Sequence, residues 1–181
     1  MNFLPCAIPG PVIVEPKVHS DDRGFFFESW NERSFREAGL DLHFVQDNQS
    51  RSDRGVLRGL HFQNPGAQGK LVRVASGAVW DVVVDLRRSS PHFGEWTGVE
   101  LSGVNHRMLW VPEGFAHGFA VLEDATHFLY KCTAAYAPEH EQVLAWDDPD
   151  LAIDWKLDPS KLVLSGRDRA GTPFTEIKAF A

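Results

Sequence analysis

Cysteine is scarce: Cys6 and Cys132 are the two in a chain of 181 residues, too few for a disulfide framework at this length. Both are expected to be free thiols in a reducing cytoplasm. No apolar run is long enough to span a bilayer. The opening Met-Asn-Phe-Leu-Pro has no basic segment leading into an apolar stretch, so no secretory leader is expected. Excess positive charge is missing too. The formal net charge of -7 argues against non-specific nucleic-acid binding. There is no phosphate loop and no Gly-x-Gly-x-x-Gly opening a helix, which removes the common nucleotide-binding folds. Among eight histidines none forms His-x-His or His-Glu-x-x-His. His61 and His117 are a pair that can meet in space, but no third or fourth ligand suggests itself, so no metal is expected.

Helical patterning is also sparse. Asn31 to Ala38 is the best case, with Asn31 as cap and Gly39 as stop. What fills the rest is aromatic and β-favouring: 13 Phe and six Trp in short runs separated by Gly, Pro, Asp and Asn. The strands expected are Val12–Glu15, Phe25–Ser29, Phe44–Gln49, Val56–Phe62, Lys70–Ala75 and Val79–Leu86. Phe93–Leu101, Arg107–Val111, Gly118–Glu123 and Thr126–Thr133 follow. Asp22-Arg23-Gly24, Ser76-Gly77 and Pro112-Glu113-Gly114 supply turns. So many strands in one small all-β domain, residues 1–181, point to a sandwich or jelly roll with short peripheral helices. The last forty residues read as a surface tail anchored by Trp146, Trp155, Leu162 and Leu164. No repeat, low-complexity tract or linker divides the chain.

Some residues stand out chemically. Arg58-Gly59-Leu60-His61 places an imidazole, the side chain most often used as a general base, in an apolar strand beside a glycine, which marks a bulge or a close approach. Its bland alternative is a histidine satisfied at a strand end. Arg58 and His61 have opposite parity, so both reach one pocket only if the strand bulges or Gly59 bends it. Lys70 opens the next strand, either as solvated surface or as a charge for a developing oxyanion. His117 sits among small residues in Gly114-Phe115-Ala116-His117-Gly118-Phe119, as a pocket group or a buried structural histidine. Alternation sends Phe128, Tyr130 and Cys132 inward, and a buried phenol needs a partner. Tyr136 falls at the rim. Asp168, in Ser165-Gly166-Arg167-Asp168-Arg169, is a solvated turn unless it folds back on His61. Arg51, Arg54, Arg58, Lys70 and Arg73 make mid-chain basic, which suits an acidic small substrate.

Taken in order, these motifs resemble the dTDP-4-dehydrorhamnose 3,5-epimerases, which look like metal-free cupin jelly rolls. The resembling stretches run from Asp22-Arg23-Gly24-Phe25-Phe26 with Glu28, through Phe44-Val45-Gln46-Asp47-Asn48 and Gly55-Val56-Leu57-Arg58-Gly59-Leu60-His61-Phe62-Gln63. They continue through Gln68-Gly69-Lys70, Asp85-Leu86-Arg87, Pro112 to Phe119, Tyr130-Lys131-Cys132-Thr133 and Asp147-Asp148-Pro149, as far as Asp168. The resemblance implies a cupin-like double-stranded β-helix and a cofactor-free isomerase acting on a dTDP-4-keto-deoxysugar. It implies His61 as base, Asp168 as its carboxylate, Tyr130 as acid on the other face of the sugar, and Lys70 near the C4 oxygen. His117 and Arg58 become substrate contacts, with Tyr136 at the rim. Gln46, Asn48, Arg23, Phe26 and Glu28 become nucleotide and diphosphate contacts, the last three reaching in from the partner of a homodimer that exchanges N-terminal strands. Arg167 departs from the family's usual lysine. Two alternatives stay open: a single-centre epimerase of a related keto-sugar, and a non-catalytic sugar-nucleotide-binding cupin.

Overall fold

The short runs between glycine, proline and aspartate form two facing antiparallel sheets, described over residues 1–181 in a computed structural model. The N-terminal part supplies β1 (Asn2–Pro5), β2 (Val12–Glu15), β3 (His19–Asp21), β4 (Gly24–Phe26) and α1 (Glu32–Glu37). The middle supplies β5 (Gln46–Ser52), β6 (Leu57–Gln63), β7 (Lys70–Ser76), β8 (Ala78–Asp85) and β9 (Trp96–Ser102). Then come β10 (Met108–Val111), β11 (Phe115–Val121), β12 (Thr126–Cys132), β13 (Glu141–Val143) and a one-turn helix α2 (Gly166–Arg169). One sheet has six strands in the order β1-β2-β10-β7-β12-β5, the other five in the order β13-β6-β11-β8-β9. Apart from β1–β2 and β8–β9, neighbouring strands within the two sheets are distant in sequence, and the fold is a cupin-like jelly roll. β3 and β4 pair only with each other, as a separate ribbon.

Period-2 alternation gives each sheet two faces. The inner faces meet in a core that includes Val72, Val74, Val83, Leu109, Phe119 and Phe128. The outer face of the six-stranded sheet presents Val14, Leu71, Met108 and Trp110, which Phe35 of α1 covers. α1 starts where expected because the Asn31 side chain accepts the N–H of Ser34 at 3.1 Å. It ends before Gly39, whose φ is +84°. Full burial of Phe35 stabilises this layer by about 2 kcal/mol.

The outer face of the five-stranded sheet is covered by the end of the chain. The expected anchors hold: Trp155 and Leu162 are buried, and Trp146 and Leu164 pack against the same cluster. The segment is more than a surface tail, however. Leu144, Leu151 and Ile177 are core residues too, and β13 adds a strand to the sheet. It buries because Val82, Val84, Ala116 and Ala120 leave an apolar sheet face that must be kept from water.

Candidate active site

β6 and β11 carry the two pocket histidines, and their pairing shows how. His61 lies opposite His117, and Arg58 opposite Phe119. Three steps along β6 are thus matched by two along β11, which is a β-bulge with one extra residue on β6. The bulge removes the parity conflict, and Arg58 and His61 both face the inner cavity. Gly59 makes it possible: its φ is +121°, and a Cβ there would meet the Cα of Gly118 at 2.6 Å. Gly118 answers from β11, where a Cβ would meet the carbonyl oxygen of Arg58 at 2.7 Å.

Asp168 is not a solvated turn residue. It sits on α2, is 4% exposed, and takes His61 Nε2 on Oδ1 at 2.6 Å. The Gly59 N–H also points at Oδ1, at 3.4 Å. Ser165 caps α2 by accepting the Asp168 N–H at 3.1 Å and donates its own hydroxyl to Oδ2 at 2.7 Å. Burial pushes this carboxyl up, but the hydrogen bonds from His61 and Ser165 outweigh it and hold it below the usual carboxylate range. An ionised Asp168 only accepts, so Nε2 of His61 carries the proton and Nδ1 holds the free lone pair.

The opposite wall comes from the six-stranded sheet. Lys70, at the start of β7, is almost fully buried, and burial pushes its ammonium below the ordinary lysine range. Tyr130, in the middle of β12, is pushed the other way by burial, so it keeps its proton to higher pH. Both point into the cavity of about 220 Å³ that also holds Asn48, Arg58, His61 and His117. Ser52 accepts both Nε and Nη2 of Arg58, at 3.2 and 3.1 Å, and steadies the guanidinium. Gln46 donates to Asn48 at 3.0 Å and accepts the Tyr136 N–H at 2.9 Å, which ties the cavity wall to its rim. At that rim the Tyr136 hydroxyl donates to Glu141, which is also paired with Arg167.

Arg23, Phe26 and Glu28 lie elsewhere. They belong to the β3–β4 ribbon and the segment after it, outside the His61 cavity. The Arg23 side chain is 90% exposed and bonds only to Asp21. A second groove of about 400 Å³ runs over the outer face of the six-stranded sheet past Arg73, Leu129 and Lys131; it shares Asn48, Gln49 and Tyr130 with the His61 cavity but lacks His61 and Lys70. No cluster of three or more His, Cys, Asp or Glu side chains is arranged to hold a metal ion.

Some site residues escaped the sequence reading. Asp81 on β8 accepts His117 Nε2 at 2.9 and 3.0 Å. It is fully buried, and burial raises its carboxyl above the usual range despite His117. Its signal was an acid inside Val79-Trp80-Asp81-Val82-Val83-Val84, where every neighbour is apolar. Ser165 had one as well, the Ser-x-x-Asp spacing of a capping box. Ser52 and Glu141 had none.

A jelly roll whose two sheets supply an imidazole–carboxylate pair on one wall and a phenol and an ammonium on the other defines an acid–base enzyme of the cupin class. Comparison with known proteins narrows the class. The dTDP-4-dehydrorhamnose 3,5-epimerase family matches residues 5–176. A curated dTDP-4-dehydrorhamnose 3,5-epimerase from Pseudomonas aeruginosa is 57% identical over 99% of both chains. A Legionella pneumophila dTDP-6-deoxy-D-glucose-3,5-epimerase, solved with dTDP-4-keto-L-rhamnose, superposes with a TM-score of 0.94. It is 49% identical, with 98% of this chain and 94% of that chain covered. A 3'-monoepimerase from Streptomyces bikiniensis, solved with dTDP-quinovose, has a TM-score of 0.88 and 37% identity. There, 94% of this chain and 87% of that chain are covered. This chain belongs to the dTDP-4-dehydrorhamnose 3,5-epimerase family, and it is an epimerase.

Proposed function

We propose that the protein inverts C3 and C5 of dTDP-4-dehydro-6-deoxy-D-glucose to give dTDP-4-dehydro-L-rhamnose. The observation that carries this reading is the placement of His61 and Tyr130 on opposite sheets of one cavity. The ketone at C4 acidifies the hydrogens on C3 and C5. Nδ1 of His61 removes one from its side of the ring, and Asp168 stabilises the imidazolium that forms. Charge moves to the C4 oxygen as an enolate. Lys70 meets it with a buried ammonium already in place, a type of contact worth about 3 kcal/mol in the transition state. Tyr130 returns a proton from the opposite side, and the centre is inverted. Proton exchange with water then returns His61 to its base form and Tyr130 to its acid form, and the same groups treat the second carbon after the ring shifts. Because the substrate carries its own carbonyl, no electron sink is required.

We further propose that residues 1–181 act as one jelly-roll domain in a homodimer, in which Arg23, Phe26 and Glu28 of each chain complete the nucleotide subsite of the other. Their exposure on a free ribbon supports this arrangement. A cytoplasmic location is supported by two unpaired thiols, Cys6 and Cys132. No helix is long and apolar enough to cross a membrane.

Incubation with the substrate in heavy water tests the reading. Deuterium at both C3 and C5 and an L-configured product are expected. Label confined to one carbon would favour the single-centre reaction of the Streptomyces bikiniensis relative, which shares the fold. Both His61→Ala and Asp168→Ala should abolish exchange while the protein stays folded. Persistent exchange in both would sink the assignment, and no exchange in the wild type would leave a sugar-nucleotide-binding cupin.

A further inference from the structure

We infer that Ser165 is a positioning residue for the reaction, holding the Asp168 carboxylate so that one oxygen is committed to His61. The inference rests on the epimerase reading above and extends it to a residue that does not touch the cavity. Ser165 has one hydroxyl proton. Its oxygen accepts the Asp168 N–H at 3.1 Å, and its proton goes to Asp168 Oδ2 at 2.7 Å. One hydroxyl therefore grips both the backbone and the carboxylate of the same aspartate. Oδ1 is left to His61 Nε2 at 2.6 Å and to the Gly59 N–H at 3.4 Å.

Without this grip the carboxylate is held through Oδ1 alone and is less firmly oriented. α2 is too short to restrain it, and it is flanked by the cationic Arg167 and Arg169. A carboxylate held through Oδ1 alone keeps its bond to Nε2 but aims the His61 ring less rigidly, so the ring nitrogen that faces the substrate is less well placed. The other charged and titratable groups facing the dyad are Arg58 on its own strand, Lys70 on β7, His117 on β11, Tyr130 on β12 and Glu141 on β13. None of them bonds to Ser165, so a change at Ser165 reaches the reaction through Asp168.

The sign of the pH effect follows. Losing a donor makes the carboxylate more basic and strengthens its hold on an imidazolium. The dyad then takes up its proton at higher pH, and the base form is lost earlier on acidification.

The test measures deuterium exchange into the dTDP-4-keto sugar against pH for the wild type, Ser165→Ala, Ser165→Gly and Ser165→Thr. Glycine keeps most of the helix-capping ability of serine without its hydroxyl, and threonine keeps the hydroxyl. Alanine and glycine should lower kcat about tenfold or more, as expected for loss of a hydrogen bond to a charged group. KM should be unchanged, and the acid limb should move to higher pH. Threonine should restore both rate and limb. If glycine behaves as wild type while alanine does not, the hydroxyl serves only as a helix cap and the inference is overturned. It is also overturned if alanine and glycine both keep the wild-type rate and limb. A wild type that exchanges no deuterium overturns the epimerase reading and the serine assignment together; normal wild-type exchange with unaffected serine variants overturns the serine assignment alone.

Discussion

Lys70 and Tyr130 share a cavity wall, yet burial moves them in opposite directions, the ammonium down and the phenol up. Both must be protonated for the mechanism, one to meet the enolate and the other to deliver a proton. As pH rises, burial therefore favours loss of the lysine charge and opposes loss of the phenol proton. Lys70→Arg keeps a cation that stays charged at any pH of interest. The variant should be slower, because a planar fork replaces a point charge, but its alkaline limb should lie higher than that of the wild type. A kcat–pH profile whose alkaline limb stays in place would show that another group sets it. At this scale the sequence was only partly legible. His61, Lys70 and Tyr130 each had an ordinary local explanation, and their roles came from the ordered set of motifs. The pairing of His61 with Asp168 spans 107 positions, and no local spacing rule reaches that far. Asp81 was readable in principle, since an acid in an apolar strand has to be bonded to something.

The bulge in β6 decides whether these side chains meet at all. Parity stated the problem, and Gly59 marked the place. What the sequence did not reveal is that Gly118 on the neighbouring strand must also lack a side chain. Gly118→Ala should push β6 away from β11 at the bulge. Denaturant unfolding should show a loss of about 1–3 kcal/mol, and exchange should slow because His61 shifts relative to Asp168. Unchanged stability and rate would mean that the strands have slack the geometry does not reveal. Among the elements, the runs with clear alternation were found within a few residues. Those missed were β1, β3, β13 and α2, each three or four residues long. A period of two or 3.6 cannot establish itself over such a length.

In the molecule as a whole, the inner core and its two covered outer faces account for most of the apolar residues, but the β3–β4 ribbon stands apart. Phe25 and Phe26 are 59% and 68% exposed there, although aromatic side chains of this size ordinarily gain by burial. The proposed exchange of this ribbon between protomers makes a definite prediction. His61→Ala and Arg23→Ala variants, each poorly active, should regain activity when unfolded and refolded together, because a mixed dimer contains one site with both residues intact. Random pairing restores about a quarter of the sites. No recovery above the separate variants would mean that each chain builds its site alone. Composition and turn signals narrowed the fold to a sandwich or jelly roll, and the resemblance of the ordered motifs chose the jelly roll. They understated the last forty residues, because the apolar positions there are spread among aspartates and prolines without a period.

Asp168 comes 107 positions after its imidazole partner. During synthesis on a ribosome, the barrel strands emerge long before the carboxylate does. A polypeptide halted before Ser165 has its histidine but no partner for it, and it leaves part of the five-stranded sheet's outer layer bare. By the proposed mechanism such a chain would lack the partner of its base and would expose apolar sheet surface. Competence arrives only once the chain has been made as far as Asp168.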